Sequence, residues 1–344
     1  MSRSRLRWFF FSIGLVLLAV LLHSLDLSLV LAQLRSLGGY FAIITLTSGF
    51  KYCLRTLAWQ LALGERGRLS FWTLFWARLA GEAANYLSSG GAFVGDPLKV
   101  MLVRDRLSWS EGLASVLLER AAYSFTAVLV LLAGLLYALV YFSLPPPFGL
   151  IAMVSSSLIT ITLVIAIYAF LRQWPLIGWC IKVGAKLPLV GRIVVARRQA
   201  ALDVEERLYI YRHSHPANFR RLLVLNLLSH WFTIYEVYLI FQGLGVPLSY
   251  SQALLVEALT KANESLFFFV PAGVGTFEAG NLVIVRLLQK SATVGLAVAF
   301  TRRLRSLFWA VLGILALLGF GIRPQQLLHG SLPENHAEPI VPTK

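Results

Sequence analysis

Charge is scarce in this chain. Of its 344 residues, 14% are Asp, Glu, Lys or Arg and 58% are hydrophobic. A soluble domain carries about a quarter charged residues, and a chain of this length has no interior large enough to hide so much apolar surface from water. A soluble catalytic domain is excluded, and lipid becomes the solvent. Cysteine is scarcer still. Cys53 and Cys180 lie far apart, in or beside apolar segments, and form neither a disulfide framework nor a metal spacing. His213 and His215 sit in a basic, solvated connector, so no metal site is expected there. No Gly-rich loop ending in Gly-Lys-Ser/Thr occurs, which argues against direct ATP use. No cofactor is expected.

Long apolar runs fill the space that charge leaves. A bilayer span needs roughly 20 mainly apolar residues. Trp8–Leu22, Tyr40–Leu63, Phe125–Phe142, Gly149–Leu171, Leu222–Phe241 and Leu304–Phe320 come close to that length. Three further stretches, Phe71–Gly95, Ser108–Phe125 and Ser249–Phe300, are apolar but interrupted by Gly, Pro, Glu or Asp. The expected fold is an all-α polytopic helix bundle over residues 1–321, followed by a polar, Pro-containing, disordered tail over 322–344.

The net charge of +15 does not point to nucleic acid. The basic residues precede the first run (Arg3, Arg5, Arg7) or crowd into residues 172–221, with no nucleic-acid reading module around them. Lys/Arg bias marks the cytoplasmic side of a membrane protein, and such clusters attract anionic lipid headgroups. The first run continues to Leu22 without a small-x-small cleavage pattern, so it reads as a retained anchor. These features place both termini in the cytoplasm, with 172–221 as a cytoplasmic connector. Part of that connector, Ala196–Arg212, is patterned as an amphipathic or solvated helix. The flanks of Phe71–Gly95 then fall on one side, so this stretch re-enters the membrane or is broken.

Two segments carry the chemistry. In the first, Glu82 and Asn85 precede a Ser/Gly break, and Asp96 and Lys99 follow it. In the second, Asn263 and Glu264 precede a break holding Pro271, Gly273 and Gly275, and Glu278 follows. A charged pair comes downstream of each: Glu119-Arg120, then Arg302-Arg303. Backbone released from a helix at membrane depth must be satisfied by protein or by a wet cavity. Half-helix N-termini in such a break favour an anionic group. The two segments, entered from opposite sides, form an inverted pseudo-repeat of the kind that puts a substrate site at the junction of two halves. An ionised side chain facing lipid costs about 3 kcal/mol at the bilayer centre. Glu82, Asp96, Glu119, Arg120, Glu236, Glu257, Glu264 and Glu278 are therefore expected to line a shared polar cavity or to pair with Arg120, Arg302, Arg303 and Arg305. The plainer alternative is that they are ion pairs fixing a bundle.

These segments also carry a resemblance. Gly81-Glu82-Ala83-x-Asn85-Tyr86-Leu87, Gly95-Asp96-Pro97-x-Lys99, Ala114–Arg120, Pro271-Ala272-Gly273-Val274-Gly275-x-x-Glu278 and Arg302-Arg303-x-Arg305-x-x-x-Trp309 resemble the flippase-like family named for the membrane region of lysylphosphatidylglycerol synthase. Length and the Gly-Glu-Ala-x-Asn segment are similar to a branch associated with hopanoid biosynthesis. Asp96 stands where relatives more usually carry Glu, and Ser306 where an acidic residue often follows the Arg pair. The resemblance implies a multi-pass protein of the bacterial inner membrane that moves lipid between leaflets. Only a short tail follows Phe320, which leaves no room for the soluble transferase domain of the full synthase.

The expected activity is translocation of a polar or anionic lipid, a hopanoid or a phospholipid, rather than enzymatic turnover. The expected site is Glu82, Asn85, Asp96, Lys99, Glu119, Arg120, Asn263, Glu264, Gly273, Gly275, Glu278, Arg302 and Arg303. A membrane-embedded lipid-modifying enzyme, using Glu119 or Glu278 as acid or base, and a non-transporting scaffold of a lipid-synthesis complex are the alternatives. The partners expected are the lipid substrate and anionic headgroups at the connector; a homo-oligomer is compatible with the pattern.

Overall fold

The computed structural model describes residues 35–64, 69–87, 92–104, 106–142, 146–174, 178, 198–267, 270, 273 and 275–319. The anchor expected at Trp8–Leu22, the tail from residue 322, Cys180 and connector residues 179–197 lie outside the described residues. Among the described residues ten α-helices follow one another: α1 (Gly39–Leu63), α2 (Phe71–Leu87), α3 (Ala92–Met101), α4 (Trp109–Tyr141), α5 (Pro146–Leu171), α6 (Arg198–Ser214), α7 (Pro216–Gly243), α8 (Tyr250–Leu266), α9 (Thr276–Leu287) and α10 (Ala292–Gly319). No strand occurs among the described residues, and the fold is all-α.

Three described helices are long and apolar enough to cross a membrane: Trp109–Tyr141, Gly149–Leu171 and Pro216–Gly243. Helices α1 and α10 are comparably long, at 25 and 28 residues. They carry basic residues within them, Lys51 and Arg55 in α1 and Arg302, Arg303 and Arg305 in α10. Buried hydroxyls inside these helices bond back one turn. Thr56, Thr126, Thr233, Thr260 and Thr301 each donate to the carbonyl four residues earlier at 2.7–3.0 Å. No side chain of that group asks lipid for a partner.

The interrupted stretches resolve differently from one another. Phe71–Gly95 divides into α2 and the start of α3, packed together as an antiparallel hairpin. Ser249–Phe300 divides into α8, α9 and the first turns of α10. Ser108–Phe125 is not interrupted at all. It belongs to the 33-residue α4, whose N-terminus is capped by Ser108 accepting from the Glu111 amide. Gly112 does not break that helix, because it is where α3 approaches; a Cβ there would lie 2.5 Å from Val100 Cγ1. The last span likewise starts earlier than Leu304, at Ala292, so the Arg302–Arg305 group sits within a helix and not at its end.

Helices α1 and α7 pair along their whole length and run antiparallel. Gly243 meets Tyr40, Phe50 stacks on Phe232 at 5.9 Å, and Leu222 packs with Ala58 and Ala62. Around them the packing is built twice. Helix α2 packs on α10 where Gly313 faces the Leu79 carbonyl and Ala83. Helix α8 packs on α4 where Gly134 faces the Leu254 carbonyl and Ala258. Helix α5 packs chiefly on α4 and exposes Leu158, Ile161, Val164 and Ile165, a surface suited to acyl chains.

Candidate functional site

The first hairpin is held by backbone proximity. Gly81 and Gly95 face each other across α2 and α3, and a Cβ on Gly81 would lie 2.7 Å from the Gly95 carbonyl oxygen. Asn85, two residues before the end of α2, accepts from the Gly95 amide at 2.9 Å. This ties the last turn of α2 to the first turn of α3. A methyl at Gly95 would collide with both the Gly81 carbonyl and Asn85. Gly95→Ala is therefore expected to cost about 1–3 kcal/mol, read as a lowered melting temperature in detergent. Gly39→Ala, where a Cβ meets nothing within 4 Å, serves as the unchanged control.

Below the hairpin, one buried charge cluster joins four helices. Glu119 of α4 accepts from Arg55 Nε of α1 at 3.0 Å and lies 3.3 Å from Arg78 Nη2 of α2. The same Arg78 nitrogen donates to the Arg55 carbonyl at 2.8 Å. Lys99 of α3 reaches Glu82 and Asp96, each at 2.9 Å. Arg120 holds the other Asp96 oxygen at 2.9 Å. Arg55 also lies over the Tyr123 ring, 3.9 Å from its centroid. Within low-dielectric surroundings, each of these charges depends on its neighbours.

The second hairpin repeats the device. Asn263, near the end of α8, donates to the Thr276 carbonyl at 3.0 Å, and a Cβ on Gly280 of α9 would lie 2.6 Å from its side chain. Gly273 and Gly275 take φ of +60° and +79°, a left-handed backbone that suits glycine. Glu278 accepts from the Gly275 amide at 2.8 Å, closing the start of α9. Its other carboxylate oxygen pairs with Arg303. Arg302 reaches Glu257 at 2.7 Å, Lys261 shares that carboxylate at 2.9 Å, and Arg305 reaches Glu236 at 3.2 Å. Helix α10 thus grips α7, α8 and α9, as α4 grips α1, α2 and α3.

Between the two hairpins and α10 lies a cavity of about 430 Å³. Asn85 and Tyr86 reach it from the first hairpin; Asn263, Glu264, Gly273 and Thr276 reach it from the second. Arg302, Arg303, Arg305 and Ser306 form its α10 wall, and Phe267, Val270 and Phe277 make part of it apolar. A second cavity of about 250 Å³ shares Asn85, Tyr86 and Ser306 and adds Glu82 and Trp309. In the wall, Nε and Nη1 of Arg302, Nε and Nη1 of Arg303 and Nε of Arg305 are buried donors with no hydrogen-bond acceptor. Such donors are costly to leave unmatched. No group of three or more His, Cys, Asp or Glu that could hold a metal occurs among the described residues.

Of the residues expected from the sequence, Asn85, Asn263, Glu264, Gly273, Arg302 and Arg303 line the main cavity, and Glu82 lines its neighbour. Asp96, Lys99, Glu119 and Arg120 fall instead in the ion-pair cluster of the first half. Glu278 supports Arg303 from behind, and Gly275 shapes the turn. Arg55, Arg78 and Lys261 complete the clusters, and reasoning from the sequence misses them. Their signal is a basic residue alone in an apolar helix, the counterpart of the buried acids. Tyr86 stands in the Gly81–Leu87 motif without being singled out, and Phe277 carries no distinguishing signal.

No curated protein and no solved structure matches the chain. The family model for the lysylphosphatidylglycerol synthase TM region matches residues 8–314, nearly the whole of the helical bundle together with its N-terminal apolar run. The chain therefore belongs to the lysylphosphatidylglycerol synthase TM region family.

Proposed function

We propose that this protein passes the headgroup of an anionic phospholipid between leaflets through the cavity bounded by the two hairpins. The observation that carries this reading is the α10 wall, where three guanidinium groups, each paired with one carboxylate behind it, still keep buried donors without an acceptor. A phosphodiester offers several acceptor oxygens and the charge to balance them. A wall rich in guanidinium donors suits a phosphate headgroup better than an uncharged hopanoid. Phe267, Val270 and Phe277 give the same cavity an apolar side, so that acyl chains stay in lipid while the headgroup moves.

The helix arrangement supports movement. Helices of 25, 17, 10 and 33 residues (α1–α4) are followed by helices of 28, 17, 12 and 28 (α7–α10). Their first members run antiparallel, which fits two inverted halves. The buried ion pairs described above all close within one half, from Arg55 to Arg120 or from Glu236 to Arg305. The halves meet largely through small and apolar residues, Gly134 on Ala258, Gly313 on Ala83, and α1 on α7, with hydrogen bonds from Trp309 to Ser48 at 2.6 Å and between His230 and the Tyr123 carbonyl at 3.2 Å. In this reading each half moves as a unit held by its own ion pairs, and the few hydrogen bonds across the seam break and re-form as the halves shift.

The test is purified protein in vesicles holding headgroup-labelled phosphatidylglycerol in the inner leaflet. Label should become accessible to a membrane-impermeant quencher faster than in empty vesicles, with the lipid mass spectrum unchanged. A new lipid species would make the protein an enzyme, and redistribution no faster than in empty vesicles would defeat the proposal.

A further inference from the structure

A third cavity, separate from the two at the hairpins, lies where the connector end of α5 meets α6 and α7. Its volume is about 540 Å³, and Leu171, Tyr209, Arg212, His213, Phe219 and Arg220 are among its lining residues. Arg212 donates one Nη1 bond to the Phe170 carbonyl at 2.9 Å and lies 4.8 Å from the centroid of that ring. This fixes the guanidinium in place and leaves other donors for a ligand. Arg220 and His213 line the same space and are exposed. The apolar part is equally defined. Phe170 stacks on Phe219 at 5.7 Å and lies tilted against Tyr209 at 5.4 Å, and Tyr209 donates to the Trp174 carbonyl at 2.6 Å. From Leu171 an apolar stripe runs back along α5 through Ile167 and Val164, at helical spacing, 57%, 40% and 61% exposed. Exposed Trp174, just beyond the end of α5, is placed as an interface anchor is.

A cationic pocket joined to an apolar runway at the membrane surface fits one ligand class. We infer that this cavity binds a resident anionic phospholipid, its phosphate on Arg212 and Arg220 and an acyl chain along Val164, Ile167 and Leu171. The bound lipid fastens the α5–α6 arm to the start of α7. This site is separate from the one proposed for transport and does not depend on that proposal.

The experiment is thermal unfolding of the full chain in detergent, with phosphatidylglycerol, phosphatidylcholine or inorganic phosphate added at equal concentration. Phosphatidylglycerol should raise the melting temperature by several degrees, and the other two should not. Arg220→Gln, at an exposed position, should melt like the parent without lipid and lose most of that rise; Arg212→Gln/Arg220→Gln should lose all of it. Arg302→Gln, in the other cavity, should keep it. The inference is overturned if phosphatidylglycerol gives no rise, if phosphate or phosphatidylcholine gives the same rise, or if Arg220→Gln retains it. It is also overturned if Arg302→Gln is the variant that loses the rise, which would place the stabilising lipid between the hairpins.

Discussion

Glu119→Gln should strongly destabilise the first half of the protein. The Glu119 carboxylate is buried and is the shared counter-charge of Arg55, at 3.0 Å, and Arg78, at 3.3 Å. Both arginines are themselves buried, and Arg78 has Nε and Nη1 atoms without acceptors even in the intact cluster. Neutralising Glu119 leaves two guanidinium ions of α1 and α2 facing each other with only Glu82 nearby, at 3.5 and 3.8 Å. Removing one partner of a buried pair costs about 3–5 kcal/mol, because the remaining charge has no water to return to. The measurement is the melting temperature and the yield of monodisperse protein in detergent, both of which should fall sharply. Adding Arg78→Met should restore part of the loss, since the excess charge is then removed along with its partner. A Glu119→Gln protein that melts with the parent would show that the cluster is solvated, and the account of halves that move as units would fail with it.

Arg302→Gln should do the opposite, leaving the fold and removing transport. Its partner Glu257 keeps Lys261 at 2.9 Å, so no carboxylate is stranded when the guanidinium goes. The cavity loses one of its three arginines together with buried donors that have no acceptor within the protein. A hydrogen bond to a charged group contributes about 1.5–3 kcal/mol. The rate of phosphatidylglycerol redistribution in vesicles should therefore fall about 10- to 100-fold, at roughly 1.4 kcal/mol per factor of ten, while the melting temperature stays within a few degrees. Arg302→Lys should recover part of the rate, having charge without the planar fork. Transport unaffected by Arg302→Gln would remove the α10 wall from the path of the headgroup.

Much of the architecture is legible in the order of residues. The runs at Tyr40–Leu63, Gly149–Leu171 and Leu222–Phe241 lie within α1, α5 and α7 or differ from them by a residue or so, because an apolar stretch of that length has few alternatives to a helix in lipid. The division of Phe71–Gly95 is legible for a related reason, since Ser and Gly interrupt its pattern and basic residues stand at both of its ends. Ser108–Phe125 reads as interrupted in the sequence and is continuous in the fold. Gly112 and the pair Glu119-Arg120 are breakers only in isolation; in the bundle the glycine receives α3 and the charges receive Arg55, Arg78 and Asp96. Arg55 and Arg78 escape a reading of the sequence because a basic residue in an apolar run has no visible partner there. Their acid is 64 and 41 residues away along the chain.

What the residue order alone determined is the solvent of this protein, its helical class and the two places where helices must end inside the bundle. Apolar run length and the positions of glycine and proline are local properties, and local backbone energetics reads them directly. Which charge answers which, and where unmatched donors are left over, was decided only when four helices of each half closed on one another. Ion pairing at membrane depth is a question of distance through space, and only packing sets that distance. As a string of residues, Arg302, Arg303 and Arg305 are three basic side chains in an apolar helix. In the fold, each is assigned a carboxylate on a different helix, and all three line a cavity that both hairpins share.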